Sequence, residues 1–487
     1  MYSTCFIWFA LICSGRALLV NSPNIILFLT DDQDALLNSM KALRKTQELI
    51  VKNGITFENA YVNSPICCPS RSSILTGKYA HNIKVYNNSL NGNCSSAEWQ
   101  KNYEKYSIAS YLKSAKNYTT FYAGKYLNQY GSINSGGLAH IPPGYDWWIG
   151  LKGNSKYYNY TLSINGTGRF YVEEYLTDKM KNFAVDFMRL NNDKPFFMTL
   201  ATPACHAPFT PAKRHSQNFP NEKAVRNPSF NYSSENKHWI VTMPPKYLPT
   251  NISRLDLIQK KRLQTLLAVD EMVECLVEEL KNLNIYSTTY IIFTSDNGYH
   301  IGQFGQPWDK RQPYQTDIKV PLFLSGPGIP KNRISQNLVS AIDIAPTILD
   351  LAEVPIPKDM DGISFKNIML QNIYPRSYIL VEYWGEGGLK VNHNCPWTDE
   401  NLMECSPESW CKCQDSKNNT YSCVLHLSKA THFKICSFTD DHDFLEAYDL
   451  LNDPYELHNI VKEIEFDKLI FYRNVLHKMI TCKGETC

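Results

Sequence analysis

The sequence carries almost no net charge. Its 49 lysines and arginines nearly balance 47 aspartates and glutamates, which gives a formal net charge of +2 at pH 7. Binding to nucleic acid or to an acidic membrane surface through the overall field of a protein needs an excess of positive charge. The composition gives no support to either partner, so a polyanionic ligand must be met by a local basic pocket.

Long apolar runs are also missing beyond the N-terminus, so we expect no membrane span. The N-terminal apolar stretch, residues 6–12, is too short to cross a bilayer and is followed by small residues, as in a secretory signal peptide. We assign residues 1–17 to that signal. The sequence has no internal repeats and no low-complexity tract, so nothing points to a repeat protein.

Cysteine, by contrast, is plentiful at 15 residues and favours a secretory route, where disulfides form. The Cys411-x-Cys413 spacing has no second pair or histidine at zinc-finger distance, so we favour disulfides over zinc and leave the pairing open. Eight cysteines crowd the C-terminal end: Cys395, Cys405, Cys411, Cys413, Cys423, Cys436, Cys482 and Cys487.

Asn-x-Ser/Thr sequons add a second, weaker indication of a glycosylated lumenal protein. Each one is a candidate N-glycosylation site. The eight sequons lie at Asn87, Asn93, Asn117, Asn159, Asn165, Asn231, Asn251 and Asn418.

Length and composition indicate one large domain and one small domain. Apolar strands alternate with helical stretches over residues 21–375, which predicts an α/β fold with a large, mostly parallel sheet flanked by helices. The composition then shifts. Residues 376–487 are cysteine-rich and predict a smaller α+β domain with an antiparallel sheet. Residues 131–170 are rich in Gly, Asn and Tyr without a clear period, and we expect them to form surface loops.

Acidic side chains follow two of the apolar strands. Asp31 and Asp32 end the first, and Asp296 and Asn297 end a later one. An isolated Asp-Asp is usually a helix cap and Asp-Asn-Gly is usually a turn. Their repetition at the carboxyl ends of buried strands, where ligands gather in α/β sheets, favours a metal site instead. Oxygen ligands suit Ca²⁺ or Mg²⁺ and are poor for zinc or copper.

The stretch from Cys67 to Gly77 is hard to explain by core packing. It reads Cys-Cys-Pro-Ser-Arg-Ser-Ser-Ile-Leu-Thr-Gly. We expect a helix that ends at Gly77, with residue 67 just before its N-terminus, where an anion such as sulfate is favoured. The stretch resembles the signature of the type I sulfatases, with Cys68 at the variable place.

In that family the first cysteine is oxidised to Cα-formylglycine (3-oxoalanine), whose hydrate is the nucleophile. The resemblance implies that Cys67 is modified by the formylglycine-generating enzyme, and that the fold is the alkaline-phosphatase-like sulfatase fold. It also implies one Ca²⁺ held by Asp31, Asp32, Asp296, Asn297 and the residue-67 side chain.

The same resemblance assigns the remaining chemistry. Arg71 is expected to hold the hydrate, and Lys125 and Lys310 to bind sulfate oxygens and balance developing charge. His206 is the candidate general acid, and His300 is expected to assist it or to contact the substrate.

One position departs from the family pattern. Many sulfatases place a histidine two or three residues after the lysine that corresponds to Lys125, where this chain has Leu127 and Asn128. We expect Asn128 to take over a hydrogen bond to the hydrate or substrate, although an amide cannot titrate.

Other phrases resemble family members that act on 6-sulfated N-acetylglucosamine, namely residues 29–34, 123–128, 154–161, 236–239 and 381–387. The implied substrate is the N-acetylglucosamine 6-sulfate at the non-reducing end of heparan sulfate or keratan sulfate. The implied destination is the lysosome, with secretion as the alternative, and a homodimer is one expected assembly.

Three alternatives stay open. An extracellular glucosamine-6-endosulfatase shares residues 124–128, but that group carries a long basic insertion that this chain lacks. A phosphate- or phosphonate-ester hydrolase of the same superfamily would use the same metal cradle. A non-catalytic glycan-binding protein on this scaffold would keep an unmodified thiol at Cys67.

Overall fold

The computed structural model describes residues 22–487, except residues 234, 372–375, 389–393, 398 and 441–443. The signal peptide predicted at residues 1–17 lies outside the described residues. The domain boundary predicted after residue 375 falls at one of the gaps and stays a prediction. Within the described part of the chain, no helix is long and apolar enough to cross a membrane.

Strands and helices alternate through most of the chain. The strands are β1 Asn24–Thr30, β2 Gly54–Tyr61, β3 Thr119–Lys125, β4 Trp147–Leu151, β5 Tyr160–Ile164, β6 Thr167–Tyr171, β7 Phe196–Ala201, β8 Thr289–Ser295, β9 His300–Ile301, β10 Trp308–Asp309, β11 Leu322–Ser325, β12 Arg333–Ser340, β13 Tyr378–Trp384, β14 Leu402–Met403, β15 Asp415–Ser416, β16 Thr420–Leu427, β17 His432–Phe438 and β18 Leu445–Asp449. The α-helices are α1 Arg44–Thr46, α2 Cys67–Thr76, α3 Ala80–Ile83, α4 Ala97–Asn102, α5 Ile108–Lys116, α6 Leu176–Leu190, α7 Trp239–Thr242, α8 Ser253–Asn282, α9 Gln315–Ile318, α10 Ile344–Leu351, α11 Lys366–Gln371 and α12 Phe466–Thr481.

A ten-stranded sheet forms the centre of the molecule, in the order β12-β2-β11-β8-β1-β7-β3-β4-β5-β6. The middle strands β8, β1, β7, β3 and β4 run parallel, as do β12 and β2, and the other neighbours are antiparallel. The predicted large sheet with a parallel centre, flanked by helices, is confirmed.

Both faces of this sheet are covered, as its unbroken apolar strands require. In β1, Ile25, Leu27 and Leu29 pack into the core on one face, while Ile26 and Phe28 pack into the core on the other. All five side chains are at most 1% exposed. The polar groups that follow β1 are therefore held on a rigid, dry support.

The expectation of surface loops over residues 131–170 is wrong. The strands β4, β5 and β6 lie there and extend the sheet to one edge. Trp148 of β4 is fully buried and stacks on Tyr122 of β3. Strand β6, at the edge, is mostly exposed, which explains why its sequence shows no buried pattern.

The C-terminal region forms its own four-stranded antiparallel sheet, in the order β13-β16-β17-β18. Helix α12 packs against it through Tyr472, Leu476 and Met479. The predicted small α+β unit with an antiparallel sheet is confirmed.

Of the cysteines in the described residues, ten pair into disulfides, as the secretory interpretation predicted, and Cys67, Cys205 and Cys275 are free. The disulfides join Cys68 to Cys94, Cys395 to Cys411, Cys405 to Cys413, Cys423 to Cys436 and Cys482 to Cys487.

The eight sequons fall into two groups by exposure. Asn117, Asn159, Asn165, Asn251 and Asn418 are exposed, whereas Asn87, Asn93 and Asn231 are half-buried.

A histidine of α3 contacts two parts of the C-terminal region. His81 Nδ1 lies 3.1 Å from the Glu382 carboxylate on β13, and Nε2 lies 3.0 Å from the Cys482 carbonyl. Both ring nitrogens thus face acceptors, which favours the doubly protonated ring. Burial opposes that charge, but the hydrogen bond to the Glu382 carboxylate, the negative charge of Glu382 and the Cys482 carbonyl together outweigh burial and raise the pKa of His81.

We therefore predict that His81→Gln costs more thermal stability at pH 5 than at pH 8. A raised folded-state pKa adds stability that is complete below the unfolded value of about 6.5 and is lost as pH rises through the folded value. The melting temperature of each variant, measured at both pH values, tests this. His477→Gln, an exposed change on α12, is the control, and an equal loss at both pH values for His81→Gln would contradict the prediction.

Candidate active site

Polar side chains meet where β1 and β8 end. These strands are parallel neighbours, so Asp31 and Asp32 lie beside Asp296 and Asn297. The Asp32 amide donates to Asp296 Oδ1 at 3.1 Å, and Asn297 Nδ2 donates to Asp32 Oδ1 at 2.8 Å. All four residues are at most 1% exposed. The structure thus brings the four predicted metal ligands together.

Cys67 completes the cluster as the first residue of α2. Its Sγ lies 3.8 Å from Asp31 Oδ1, and the side chain is fully buried. Burial raises the pKa of the Cys67 thiol to about 12, so the thiolate is scarce at physiological pH and the unmodified side chain is a poor nucleophile. Gly77 ends the helix at φ 69°, where an added Cβ would press against Met360.

Three cations neutralise the three carboxylates of the cluster. Lys125 Nζ donates to Asp31 Oδ2 at 2.7 Å, and Lys310 Nζ donates to both Asp32 oxygens at 2.7 and 2.8 Å. Arg71 Nε donates to Asp296 Oδ2 at 2.7 Å. Lys125 ends β3 and Arg71 lies one turn into α2, so each cation comes from a different element.

The acidities of the carboxylates differ. Burial alone would raise the pKa of Asp31, but Lys125 beside it, aided by His206 and Arg71, holds that pKa well below the usual range. Burial raises the pKa of Asp296 to about 7, and Arg71 only partly offsets this because Asp31 and Asp32 are close. Additional positive charge next to Asp296 would therefore be electrostatically favourable.

His206 follows β7 and reaches the cluster from the other side. Its Nδ1 lies 2.6 Å from the Ala207 carbonyl, which makes Nδ1 the protonated nitrogen and leaves Nε2 facing Asp32 Oδ2 at 3.8 Å. Burial, with Lys310 nearby, lowers the pKa of His206 to about 4. The ring is thus neutral, with a lone pair directed at the reaction centre.

The residues present fit a hard cation. Oxygen atoms of Asp31, Asp32 and Asp296 converge, and Asn297 Oδ1 is buried without a hydrogen-bond partner among the described residues. An orphaned buried oxygen is costly unless a ligand satisfies it. Donor atoms of Asp31, Asp32, Cys67 and His206 also lie within 4.8 Å of one another.

Two predicted substrate contacts lie elsewhere. His300 is 2% exposed, with Nδ1 3.0 Å from Asp317 and Nε2 3.1 Å from Gln414 Oε1. Both of its nitrogens are used, so His300 reaches the substrate side only through Gln414. Asn128 is 6% exposed and its Oδ1 has no hydrogen-bond partner in the described chain, but it does not line the cavity.

A cavity of about 190 Å³ opens over Asp32, His206 and Lys310. Most of its wall was not predicted from the sequence. The other lining residues are Asn88, Asn154, Ala207, Tyr299, Trp308, Asp309, Arg311, Glu404, Ser406, Ser409 and Gln414.

Ser155 is a further residue that sequence reasoning missed. It is buried, and its hydroxyl donates to Asp31 Oδ2, the oxygen that also accepts from Lys125. Only its place in residues 154–161, a segment that resembles the family, could have indicated a role for Ser155. A serine in a polar loop gives no other sign of a functional role. Asp309 and Arg311 flank Lys310 and could have been found in the same way.

The fold and site are those of a sulfuric ester hydrolase, and the comparisons agree. A profile described as Sulfatase matches residues 23–354. This chain belongs to the sulfatase family.

The family members most similar in sequence include two mammalian N-acetylglucosamine-6-sulfatases. The goat protein (Capra hircus) is 47% identical over 97% of this chain and 86% of its own length, and the human protein (Homo sapiens) is 47% identical over 97% and 87%. A putative extracellular sulfatase, a Sulf-1 homologue of Caenorhabditis elegans, is 43% identical over 71% of this chain but only 49% of its own length.

Solved structures confirm the predicted fold. A protein in complex with its substrate D-glucosamine-2-N,6-O-disulfate superposes with a TM-score of 0.75 at 22% identity, covering 94% of this chain and 97% of its own. A phosphonate monoester hydrolase from Silicibacter pomeroyi superposes with a TM-score of 0.63 at 17% identity, covering 94% of each chain.

We predict that Ca²⁺ raises the melting temperature of the protein and that Asn297→Leu weakens this response. A ligand that binds only the folded state stabilises it by about 2.7 kcal/mol at one hundred times its Kd. Thermal melts over a Ca²⁺ series measure the apparent Kd.

Asn419→Leu is the matched control, because Asn419 is also buried, with an Oδ1 that has no partner among the described residues, but lies in the C-terminal region. The same Ca²⁺ response in the Asn297 variant and the wild type would show that Asn297 does not contribute to Ca²⁺ binding.

Proposed function

We propose that this protein removes the 6-O-sulfate from the N-acetylglucosamine 6-sulfate residue at the non-reducing end of heparan sulfate or keratan sulfate. One observation carries this proposal: the chain is 47% identical over nearly its whole length to proteins named for that activity. The catalytic site supports it, because a small cavity opens over Asp32, His206 and Lys310, and donor atoms of the buried Cys67, Asp32 and His206 lie within 4.8 Å of one another.

Modification of Cys67 to formylglycine is part of the proposal. The buried thiol, whose pKa is raised to about 12, is a poor nucleophile as cysteine, which supports its conversion to a different nucleophile during synthesis. Formylglycine, when present, supplies a hydrated aldehyde as nucleophile, and Ca²⁺, when bound, supplies positive charge to the sulfate. Asp31, Asp32, Asp296 and Asn297 would hold the cation.

The cationic side chains bind the sulfate ester. The Lys125 ammonium contacts one carboxylate oxygen and has two further protons to donate to sulfate oxygens, and the Lys310 ammonium contacts both Asp32 oxygens and has one. Arg71 NH2 is buried without a hydrogen-bond partner among the described residues and lies 3.8 Å from Asp31, so it can donate to the side chain at position 67. Charge that develops on the ester oxygens is stabilised by these fixed donors.

His206 is placed to serve the departing sugar oxygen. Its Nδ1 proton is held by the Ala207 carbonyl, which fixes the ring, and Nε2 points to the cavity over Asp32. The negative charge of a sulfate ester next to the ring favours protonation of Nε2. In that state His206 donates a proton to the leaving oxygen as general acid.

The cellular setting forms the rest of the proposal. Five disulfides and five exposed sequons support a secretory route, with the formylglycine-generating enzyme as a partner during synthesis. We place the mature protein in the lysosome, with secretion as the alternative. Residues 21–375 would form the catalytic domain and residues 376–487 the C-terminal domain.

We predict that Cys67→Ala lowers turnover of N-acetylglucosamine 6-sulfate by on the order of 10³-fold or more, because it removes the nucleophile. Sulfate release from the monosaccharide measures this. Cys275→Ala, a change at a partly exposed free cysteine, should keep wild-type turnover. Retained activity in Cys67→Ala would move the nucleophile elsewhere.

The same assay separates the phosphonate-hydrolase alternative, which the shared fold keeps open. We expect kcat/KM for the sugar 6-sulfate to exceed that for the sugar 6-phosphate. A strong preference for the phosphate monoester would overturn the proposed function. Unmodified Cys67 and no turnover of either ester would favour a glycan-binding protein.

A further inference from the structure

One wall of the cavity comes from a segment with two disulfides, which we call the stapled loop: residues 394–397 and 399–416. The Cys395–Cys411 and Cys405–Cys413 disulfides cross-link it. Four of its residues line the cavity: Glu404, Ser406, Ser409 and Gln414.

The stapled loop is anchored to the rest of the protein. Lys412 Nζ is buried and donates to the backbone carbonyls of Val241, at 2.7 Å, and Met243. Trp410 packs edge-on against Trp308, which also lines the cavity. The wall is therefore a fixed part of the site.

Most polar groups of this wall are already occupied by protein partners. Gln414 Oε1 lies 3.1 Å from His300 Nε2, and Gln414 Nε2 donates to the Lys412 carbonyl at 3.1 Å. Ser406 and Ser409 bond each other. Glu404 differs, because its side chain is 47% exposed and its nearest cation in the described chain is Arg311 at 3.9 Å.

The need to neutralise Arg311 does not explain why a carboxylate lies at position 404. The guanidinium already contacts Asp309, lies 3.2 Å from Glu386 and lies 3.5 Å from Asp415. A fourth carboxylate at 3.9 Å, beyond hydrogen-bond distance, adds only negative charge. Glu404 also adopts φ 57°, a left-handed conformation that is costly for a non-glycine residue and is concentrated at functional sites.

We propose that Glu404 is a specificity-determining residue that accepts hydrogen bonds from hydroxyl groups of the terminal sugar, while the sulfate lies at the opposite, catalytic end of the cavity. Carboxylates bind paired hydroxyl groups well because both oxygens accept. Hydroxyl groups at a chain end are not blocked by a further sugar, so the stapled loop reads the end of the glycan. This inference rests on the proposed function for the identity of the sugar.

Glu404→Ala tests the proposal with two substrates. We expect kcat/KM for N-acetylglucosamine 6-sulfate to fall about tenfold to a hundredfold, the usual loss for a hydrogen bond to a charged group. For 4-nitrocatechol sulfate, which has no sugar, we expect less than a twofold change. Glu408→Ala, which removes the same charge from an exposed site on the stapled loop that does not line the cavity, should match the wild type on both substrates.

Two results would overturn the proposal. An equal loss on both substrates would mean that Glu404 acts through the charge or shape of the reaction centre. No loss on the sugar sulfate would mean that it does not touch the sugar.

Binding of unsulfated N-acetylglucosamine, followed by ligand-observed NMR, separates this proposal from the proposed function. Loss of sugar binding in Glu404→Ala supports the sugar contact even if the wild type hydrolyses no sulfate ester. Unchanged sugar binding in Glu404→Ala contradicts it.

Discussion

The structure depends on a balance of buried charge at the ends of β1 and β8. Asp31, Asp32 and Asp296 are sealed from water and are matched by Lys125, Lys310 and Arg71. Such charges persist in a protein interior only when they are paired and hydrogen-bonded. A divalent cation and a singly charged sulfate ester bring opposite charges into this balanced cluster, so each offsets part of the charge that the other adds. Binding of one thus favours binding of the other.

The central sheet and helix α2 hold that cluster in place. Five parallel strands with both faces buried deliver Asp31, Lys125, His206 and Asp296 to one edge of the sheet. Helix α2 adds Cys67 and Arg71 from its first two turns, and the Cys68–Cys94 disulfide ties its start to the next segment. The C-terminal region then closes the cavity with the stapled loop, so the chemistry and the sugar recognition come from different parts of the chain.

The sequence alone was enough to predict those site residues that directly follow an apolar strand. Asp31, Asp296 and His206 each follow an unbroken apolar strand, and the carboxyl ends of parallel strands must meet. Sequence reasoning missed β4–β6 because these strands lack an unbroken apolar run. Their Asn- and Tyr-rich residues pack through a few aromatic contacts, and β6 is an exposed edge strand. The role of His300 stays a prediction, and its contact with Asp317 of α9 could not be foreseen because the two residues lie in separate elements. Glu404 gave no signal, since disulfide pairing, which sequence does not reveal, carries it to the cavity.

The central claim is that residue 67 is a modified nucleophile in a charge-balanced site. Mass spectrometry of the tryptic peptide that contains residue 67, from protein made in a eukaryotic secretory pathway, tests it most directly. We expect formylglycine at residue 67, seen as loss of the cysteine sulfur with gain of an aldehyde oxygen. A peptide that contains only unmodified cysteine, from protein that nevertheless hydrolyses the sulfate ester, would contradict it.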